Sequence, residues 1–302
     1  MFENFQCRRV SGAGSEINLV IGGVGPPLLL LHGYPETHVA WHRIAPALAR
    51  DFTVVATDLR GYGDSSAPHS DEHHRSYSKR TMAADQLAVM RALDFNEFAV
   101  VGHDRGARVG YRLALDHPEA VTAFVSLTVV PTADVWAAAD KGFGISAYHW
   151  FLFAQPFDLP ERLIGADPDY FLDWTLKRMV MDTRCLTADA VAEYRRCFRR
   201  PEVRHAMMED YRAGAGCDDE DDKVDLAMGK KLACPVQVLW DARRTSPIEL
   251  WRRWADRVEG LPIDAGHLLA EEAAEAVLAA ITPFLKRHGR GGEKVVGGSV
   301  TP

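Results

Sequence analysis

The sequence lacks the features of disulfide-rich and membrane-spanning proteins. Its 302 residues include only five cysteines, Cys7, Cys185, Cys197, Cys217 and Cys234, and no Cys-x-x-Cys pair. An odd number of scattered cysteines is typical of reduced thiols, not of a disulfide framework or a zinc site. No apolar run approaches the roughly 20 residues that a transmembrane helix needs, and residues 1–10 lack an apolar signal core. We therefore expect a cytoplasmic protein without membrane contact.

The sequence also lacks an excess of positive charge. Its 35 basic and 42 acidic side chains give a formal net charge of −7, which offers no overall field for nucleic acid or an anionic membrane. An anionic substrate must therefore be attracted by local charges. The composition, 47% hydrophobic and 25% charged, is that of a globular protein.

Short apolar runs alternate with segments of helical spacing along most of the chain. Strands are predicted at 17–21, 27–31, 52–56, 98–102, 123–130 and 236–240, and helices at 78–94, 108–115, 249–258 and 271–285. Because the runs are apolar on both faces, this alternation predicts an α/β fold, a mostly parallel sheet covered by helices on both sides.

The pattern changes in the middle of the chain, where strand runs disappear and aromatic residues with helical spacing dominate. We predict a first part of the core at 1–131, an inserted helical cap at 132–228 and a second part of the core at 229–287. The Gly-rich residues 288–302 have no apolar period and are predicted to be a disordered tail.

The most informative segment is Gly-His-Asp-Arg-Gly at 102–106, between a predicted strand and a predicted helix. Glycines flanking a central residue at such a turn are typical of a nucleophile elbow, here with Asp104 in place of serine. The simpler alternative is that Asp104 only caps the helix. Two further segments favour catalysis: His-Gly-Tyr-Pro at 32–35 directly follows a strand, and Asp-Ala-Gly-His at 264–267 precedes a helix. They stand where a hydrolase carries its oxyanion loop and its general-base histidine.

These segments resemble the haloacetate (fluoroacetate) dehalogenases of the α/β-hydrolase superfamily. The resemblance runs from about residue 2 to residue 285. It rests on LHGYP at 31–35, DLRGYG at 58–63, GHDRGAR at 102–108, YHW at 148–150, DYRAG at 210–214 and GH at 266–267. It implies a cofactor-free hydrolase that converts haloacetates to glycolate and halide, in a family whose members commonly form homodimers.

The resemblance also implies a role for each motif residue. Asp104 would form an ester with the substrate and His267 would activate water, while the backbone N–H groups of Tyr34 and Arg105 would hold the oxyanion. The side chains of Arg105 and Arg108 would bind the substrate carboxylate, and His149, Trp150 and Tyr211 would bind the halide. Without the resemblance, Arg108 could be a surface ion pair, and Trp150 and Tyr211 could be core residues of the cap.

One departure concerns the acid that normally supports the histidine. At the family's usual position this sequence has Thr128, and at the position used by sibling hydrolases it has Arg244. Asp241 and Asp134 are the nearby carboxylates, with Asp241 slightly preferred because it ends a core strand. We therefore expect Asp104 to be alkylated readily and the resulting ester to be hydrolysed slowly.

Two other functions stay open. An epoxide hydrolase could use cap tyrosines among Tyr148, Tyr170, Tyr194 and Tyr211, although an epoxide offers no carboxylate to the arginines. The second open function is that of a relative that binds a haloacid or hydroxyacid without turning it over. No metal or cofactor is expected, since Gly61-x-Gly63 lacks the third glycine of a dinucleotide site. The acidic run 218–222 lacks the glycine of a calcium loop, and we interpret it as a solvated loop.

Overall fold

The computed structural model describes residues 1–289 and is built around one eight-stranded sheet. Its strands are β1 Gln6–Ser11, β2 Glu16–Gly22, β3 Pro27–Leu31, β4 Thr53–Thr57, β5 Phe98–His103, β6 Val121–Leu127, β7 Val236–Asp241 and β8 Val258–Ile263. The spatial order is β1-β2-β4-β3-β5-β6-β7-β8, with β2 antiparallel to β1 and β4 and all other pairs parallel. The predicted α/β fold class is confirmed.

Helices cover both faces of this sheet. The α-helices of the described residues are α1 Ala45–Leu48, α2 Lys79–Ala92, α3 Arg105–Asp116, α4 Thr132–Ala137, α5 Lys141–Ser146, α6 Tyr148–Phe153, α7 Leu159–Gly165, α8 Pro168–Met179, α9 Ala188–Phe198, α10 Pro201–Ala215, α11 Cys217–Ala227, α12 Ile248–Trp251, α13 Leu269–Glu272 and α14 Ala274–His288. Alternate residues of each central strand face opposite sides: Leu29 packs with α2 and α3, whereas Leu28 packs with α1 and α14. The carboxyl ends of β3, β5 and β6 therefore meet at one edge between two packed helical layers.

The edge strands and one helix differ from the sequence prediction. Strands β1 and β8 were not predicted because much of each is exposed, so neither shows a buried apolar run. Each is held by backbone pairing with its neighbour, β2 or β7. The helix predicted at 249–258 is wrong beyond α12, since the chain turns at Trp251 and Trp254, both buried, to reach β8.

Helices α4 to α11 all lie between β6 and β7, within the segment predicted to form a cap; the division into core and cap stays a prediction. The interpretation of residues 218–222 as a solvated loop is wrong, because they belong to α11. Asp218 and Asp222 are buried there and pair with Lys79 of α2 and Arg112 of α3. No helix within residues 1–289 is long and apolar enough to cross a membrane. The predicted tail lies, from residue 290 onward, outside the described residues.

Candidate active site

Asp104 occupies a sharp turn between β5 and α3. Its backbone has φ +47° and ψ −116°, a conformation that costs free energy in any residue with a side chain. The turn needs close packing beneath it: a Cβ at Gly106 would lie 2.2 Å from the carbonyl oxygen of Leu31. Glycine at 106 therefore lets α3 begin directly against β3 and leaves Asp104 at the carboxyl end of the sheet.

The two carboxylate oxygens of Asp104 have different neighbours. Oδ1 accepts a hydrogen bond of 3.0 Å from the backbone N–H of Tyr34, and Oδ2 lies 3.4 Å from Nε2 of His267. The first contact requires glycine at 33, where a Cβ would be 2.4 Å from the Cβ of Asp104. Oδ1 thus faces a backbone donor, and Oδ2 faces the imidazole.

Asp104 is ionised in this setting. Burial alone would raise the pKa of its carboxyl group, but the hydrogen bond and charge of His267, with the charges of His103 and Arg105, hold that pKa well below its usual range. A buried carboxylate with one oxygen that accepts no backbone hydrogen bond is a suitable nucleophile for displacement at carbon.

The loop that carries His267 is fixed through its backbone. The N–H of His267 donates to the carbonyl of Met179 at 2.5 Å, and its carbonyl accepts from Nε2 of His103 at 2.8 Å. The other ring nitrogen of His103, Nδ1, is 2.9 Å from Oε2 of Glu36. Burial alone would lower the pKa of His103, but the carboxylate of Glu36 raises it. Both ring nitrogens face acceptors, which favours the protonated ring, and the two contacts of His103 orient the His267 loop.

Sequence reasoning missed Glu36 and His103 as positioning residues. The available signal was a charged residue just after the 32–35 motif and a histidine beside Asp104. Their partnership spans 67 positions, so local pattern does not show it.

The residues expected to support His267 are engaged elsewhere. Thr128 donates its hydroxyl to the carbonyl of Leu127 at 2.8 Å, in the left-handed conformation with φ +66°. Asp241 binds Arg243 through two hydrogen bonds of 2.8 and 2.7 Å. The third residue, Asp134, accepts from the indole of Trp254 at 2.6 Å and pairs with Arg253. Across residues 1–289, Asp104 is the one carboxylate within 4.0 Å of the His267 ring nitrogens.

A cavity of about 520 Å³ opens from Asp104 and His267. Arg108, His149 and Trp150 line it together with Thr128. Its apolar wall includes Val129, Val130, Val135, Phe143 and Leu250. Asp104 therefore faces a cavity between the sheet edge and the helices inserted after β6.

The two arginines of α3 stand at different depths. Arg108 is on the cavity wall, where Nη1 donates to the carbonyl of Val130 at 3.0 Å and Nε has no hydrogen-bond partner in the described structure. Arg105 is fully buried and donates from Nε and Nη2 to the carboxylate of Asp210 at 2.8 and 2.7 Å. Its Nη1 has no partner among residues 1–289. Each guanidinium thus keeps one buried donor free for an anion.

Three aromatic side chains of the inserted helices meet beside these arginines. The ring of Tyr211 lies 5.5 Å from that of His149 and 5.9 Å from that of Trp150, and its buried hydroxyl finds no partner in the described part of the chain. The guanidinium of Arg105 lies 4.2 Å above the Tyr211 ring. Burial lowers the pKa of His149 to about 4, so its imidazole is neutral near pH 7. The structure therefore brings together the three residues predicted to bind halide.

Known proteins resemble this chain along most of its length. The family described as alpha/beta hydrolase fold matches residues 26–207. A fluoroacetate dehalogenase from Burkholderia is 39% identical over 94% of this chain and 95% of its own length. A soluble epoxide hydrolase from Corynebacterium is 30% identical over 90% and 94%. Among solved structures, a Pseudomonas aeruginosa protein provisionally described as an epoxide hydrolase, in a threonine-to-aspartate variant with bound MFA, is 54% identical over 95% of this chain and 98% of its own, with a TM-score of 0.92.

Sheet order, elbow and family match together show that the chain belongs to the α/β-hydrolase family and is a hydrolase. Within that family, the match to the fluoroacetate dehalogenase confirms the resemblance stated from the sequence: the chain is haloacetate dehalogenase-like.

Proposed function

We propose that this protein is a haloacetate dehalogenase, which converts fluoroacetate or chloroacetate to glycolate and halide. One observation carries the proposal: buried donors of Arg105, Arg108 and Tyr211 lack partners in the described structure, and each of these residues lies near enough to the ionised Asp104 to interact with its charge. Leaving a buried donor without an acceptor costs about 1–3 kcal/mol. An anionic substrate with a carboxylate at one end and a halogen at the other would satisfy these groups.

In the first step, Oδ2 of Asp104 attacks the α-carbon and the carbon–halogen bond breaks, with the halogen leaving as halide. The arginines Arg105 and Arg108 hold the substrate carboxylate, as guanidinium groups do well. The neutral His149, with the N–H of Trp150 and the O–H of Tyr211, donates hydrogen bonds to the departing halide. Asp104 becomes an ester whose carbonyl oxygen is Oδ1.

In the second step, His267 takes a proton from water and the resulting hydroxide attacks the ester carbonyl carbon. Negative charge develops on Oδ1, which already faces the N–H of Tyr34. The N–H of Arg105 is the second donor for this charge, because Arg105 is the first residue of α3 and its N–H has no acceptor within the helix. Collapse of this intermediate releases glycolate, which takes a proton from the imidazolium. The water oxygen stays on Asp104, which is left as a carboxylic acid. It then loses the second proton of the water to solvent by way of His267, and the carboxylate is restored.

We further propose that this second step is slow. In the free protein the carboxylate of Asp104 is the charge that faces His267, at 3.4 Å. Ester formation neutralises that carboxylate just before His267 must become positively charged. Thr128 offers a hydroxyl at the usual position of the acid, and a hydroxyl cannot balance an imidazolium.

The test is to mix the protein with chloroacetate and with fluoroacetate and to follow halide release together with the mass of the intact protein. We expect one equivalent of halide quickly, then slow turnover, with an ester adduct on the peptide that contains Asp104. Asp104→Asn should give no rapid release. Fast steady turnover without an adduct would overturn the slow second step, and no halide from either substrate would overturn the dehalogenase.

An epoxide hydrolase is the second candidate, because the Corynebacterium relative has that activity. Such an enzyme needs cap tyrosines to protonate the epoxide oxygen. Tyr194 is unsuitable because its hydroxyl donates to Glu271, and Tyr170 is 66% exposed, which leaves Tyr211 and Tyr148. Diol formation from styrene oxide without halide release from chloroacetate would favour this function. Tight binding of glycolate with neither reaction would favour the binding relative.

We also propose a cytoplasmic homodimer that contacts no nucleic acid or membrane. All five cysteines are free thiols. Four large hydrophobic side chains within residues 157–170 of the inserted segment are at least half exposed, Phe157, Leu159, Leu163 and Tyr170. Exposed apolar surface of this kind often marks a protein interface. Sedimentation should give a mass twice that of one chain, and Leu163→Glu should reduce it to the mass of a single chain.

A further inference from the structure

Three exposed arginines stand at the outer end of the cavity, and we call them the basic mouth: Arg178 near the end of α8, with Arg243 and Arg244 after β7. They line both the active-site cavity and an adjoining cavity of about 420 Å³. Arg243 and Arg244 are 55% and 74% exposed, whereas Asp104 at the inner end is buried. The basic mouth therefore lies between solvent and the nucleophile.

Positive charge exceeds negative charge at this mouth. Asp241 is the carboxylate that lines both cavities; it is bound to Arg243, and Arg244 is 3.9 Å away. Arg178 has no carboxylate within 4.0 Å in the described part of the chain, and its guanidinium lies 4.7 Å over the ring of Trp174.

Glu272 and Asp264 are two further acidic groups, whose charges reach Arg243. The carboxylate of Glu272 accepts hydrogen bonds from the backbone N–H groups of Gly266, Met181 and Asp182. The mouth thus holds one guanidinium, that of Arg178, without an ion-pair partner among residues 1–289, and two more that share the single carboxylate of Asp241.

We propose that the basic mouth is an outer binding site that captures the carboxylate of an incoming 2-haloacid before it moves inward to Arg108. This inference rests on the proposed function. A positively charged cleft raises the local concentration of an anion and its rate of association, and low salt strengthens the effect. Guanidinium groups bind carboxylates well and carry charge at any working pH.

The first test compares kcat/KM for chloroacetate in the triple variant Arg178→Gln, Arg243→Gln, Arg244→Gln with the parent protein. At 0.01 M ionic strength, where the screening length is about 30 Å, we expect a loss of about tenfold; at 1 M, where it is about 3 Å, less than about twofold. The value of kcat should not change, because capture does not affect a saturated site.

Arg287→Gln is the matched control, since Arg287 of α14 is 50% exposed, pairs with Glu259 of β8 at 2.7 Å and lines neither cavity. It should leave kcat/KM unchanged. Asp241→Asn should act in the opposite direction and raise kcat/KM at low salt, because it removes the negative charge at the mouth. A triple variant that behaves like Arg287→Gln, or one that loses equally at both salt concentrations, overturns the proposal.

Fluorescence quenching tests the same site without turnover. Trp174 is 38% exposed beneath Arg178, and its emission is obtained as the difference between the parent and Trp174→Phe. Relative to neutral acrylamide, iodide should quench Trp174 more strongly in the parent than in the triple variant at low salt. An equal ratio of iodide to acrylamide quenching in the parent and the triple variant overturns the anion site. If this ratio is lower in the triple variant while the parent releases no halide from chloroacetate, the proposed function fails and the anion site stands.

Discussion

At the scale of single residues, the conformation of Asp104 and its environment act together. The left-handed turn presents the carboxylate at the sheet edge, and the N–H of Tyr34 occupies Oδ1. Oδ2 is therefore the oxygen left for attack. Because His267 and the charges of His103 and Arg105 keep the pKa of Asp104 low, the attacking oxygen is present as a carboxylate without help from a general base.

This charge state predicts a first step that does not depend on pH. Asp104, with its lowered pKa, stays ionised as the pH falls toward 5, and His149, with a pKa of about 4, stays neutral as a hydrogen-bond donor. We expect the rate constant of the halide burst to change less than about twofold between pH 5 and pH 8. Rapid-quench measurement of chloride checks this. A sigmoidal fall centred near pH 6 would mean that another titrating group controls alkylation.

Thr128 offers a second prediction at this scale. Thr128→Asp places a carboxylate where the family has its acid, and aspartate tolerates φ +66° better than a β-branched residue does. We expect hydrolysis of the ester to accelerate by up to about 10³–10⁴-fold, as judged from the loss of a triad acid elsewhere, while the halide burst is unchanged.

Thr128→Asn is the control, because asparagine has the same shape and backbone preference without the charge. It should hydrolyse the ester as slowly as the parent does. Equal acceleration in both variants would attribute the effect to relief of backbone strain and not to the carboxylate.

At the scale of secondary-structure elements, the close contact between α3 and β3 determines where the arginines stand. Gly106→Ala would place a Cβ 2.2 Å from the carbonyl oxygen of Leu31 and 2.4 Å from that of His32, so the start of α3 must move. We expect a loss of about 1–3 kcal/mol in the free energy of unfolding, with a weaker halide burst as Arg105 and Arg108 shift. Urea unfolding monitored by circular dichroism measures the first effect.

Gly144→Ala in α5 is the matched control, since the nearest heavy atom to the new Cβ is 3.8 Å away. It should raise the free energy of unfolding by up to about 1 kcal/mol. If Gly144→Ala also lowered the free energy of unfolding, crowding against Leu31 would not be the cause of the loss in Gly106→Ala.

At the scale of the whole molecule, buried ion pairs join the inserted helices to the sheet layer. Arg112 of α3 is 2% exposed and binds Asp222 at 2.6 Å, together with Asp225, both in α11. Asp210 of α10 likewise binds Arg105, so the same kind of contact also positions the site. The inserted helices are therefore held by charge pairs whose partners lie about a hundred residues apart.

Arg112→Met should cost about 3–5 kcal/mol in the free energy of unfolding, because it removes the guanidinium that two buried carboxylates share and leaves Asp222 with neutral donors, the Tyr111 hydroxyl and the Ala133 N–H. Arg80 faces the same helix but is 46% exposed, and Arg80→Gln should cost no more than about 1 kcal/mol because water screens its pairs. Chemical denaturation of both variants gives the comparison. Equal losses would show that burial does not decide the strength of these pairs.

The buried centre of the fold was predictable from sequence, and its edges were not. Strands β3, β5 and β6 are buried on both faces, so their apolar runs are visible in the sequence. The edge strands β1 and β8 expose much of their surface and depend on backbone pairing, which leaves no apolar pattern. The acidic run 218–222 was wrongly predicted for a similar reason. Its charges indicate a solvent-exposed segment unless one knows that the fold places Lys79 and Arg112 beside it.

The sequence by itself determined the α/β class, the elbow at Asp104 and the motif segments proposed to be catalytic, because each depends on neighbours within a few positions. Tertiary structure alone decided that the carboxylate of Asp210 accepts hydrogen bonds from the guanidinium of Arg105. It also decided that Glu36 and His103 hold the His267 loop. Asp241 and Asp134 pair with arginines instead of with His267, which the sequence did not show either. The reason is physical. The energy of a buried charge depends on which distant groups the fold brings within hydrogen-bond distance, and local sequence carries no record of that distance.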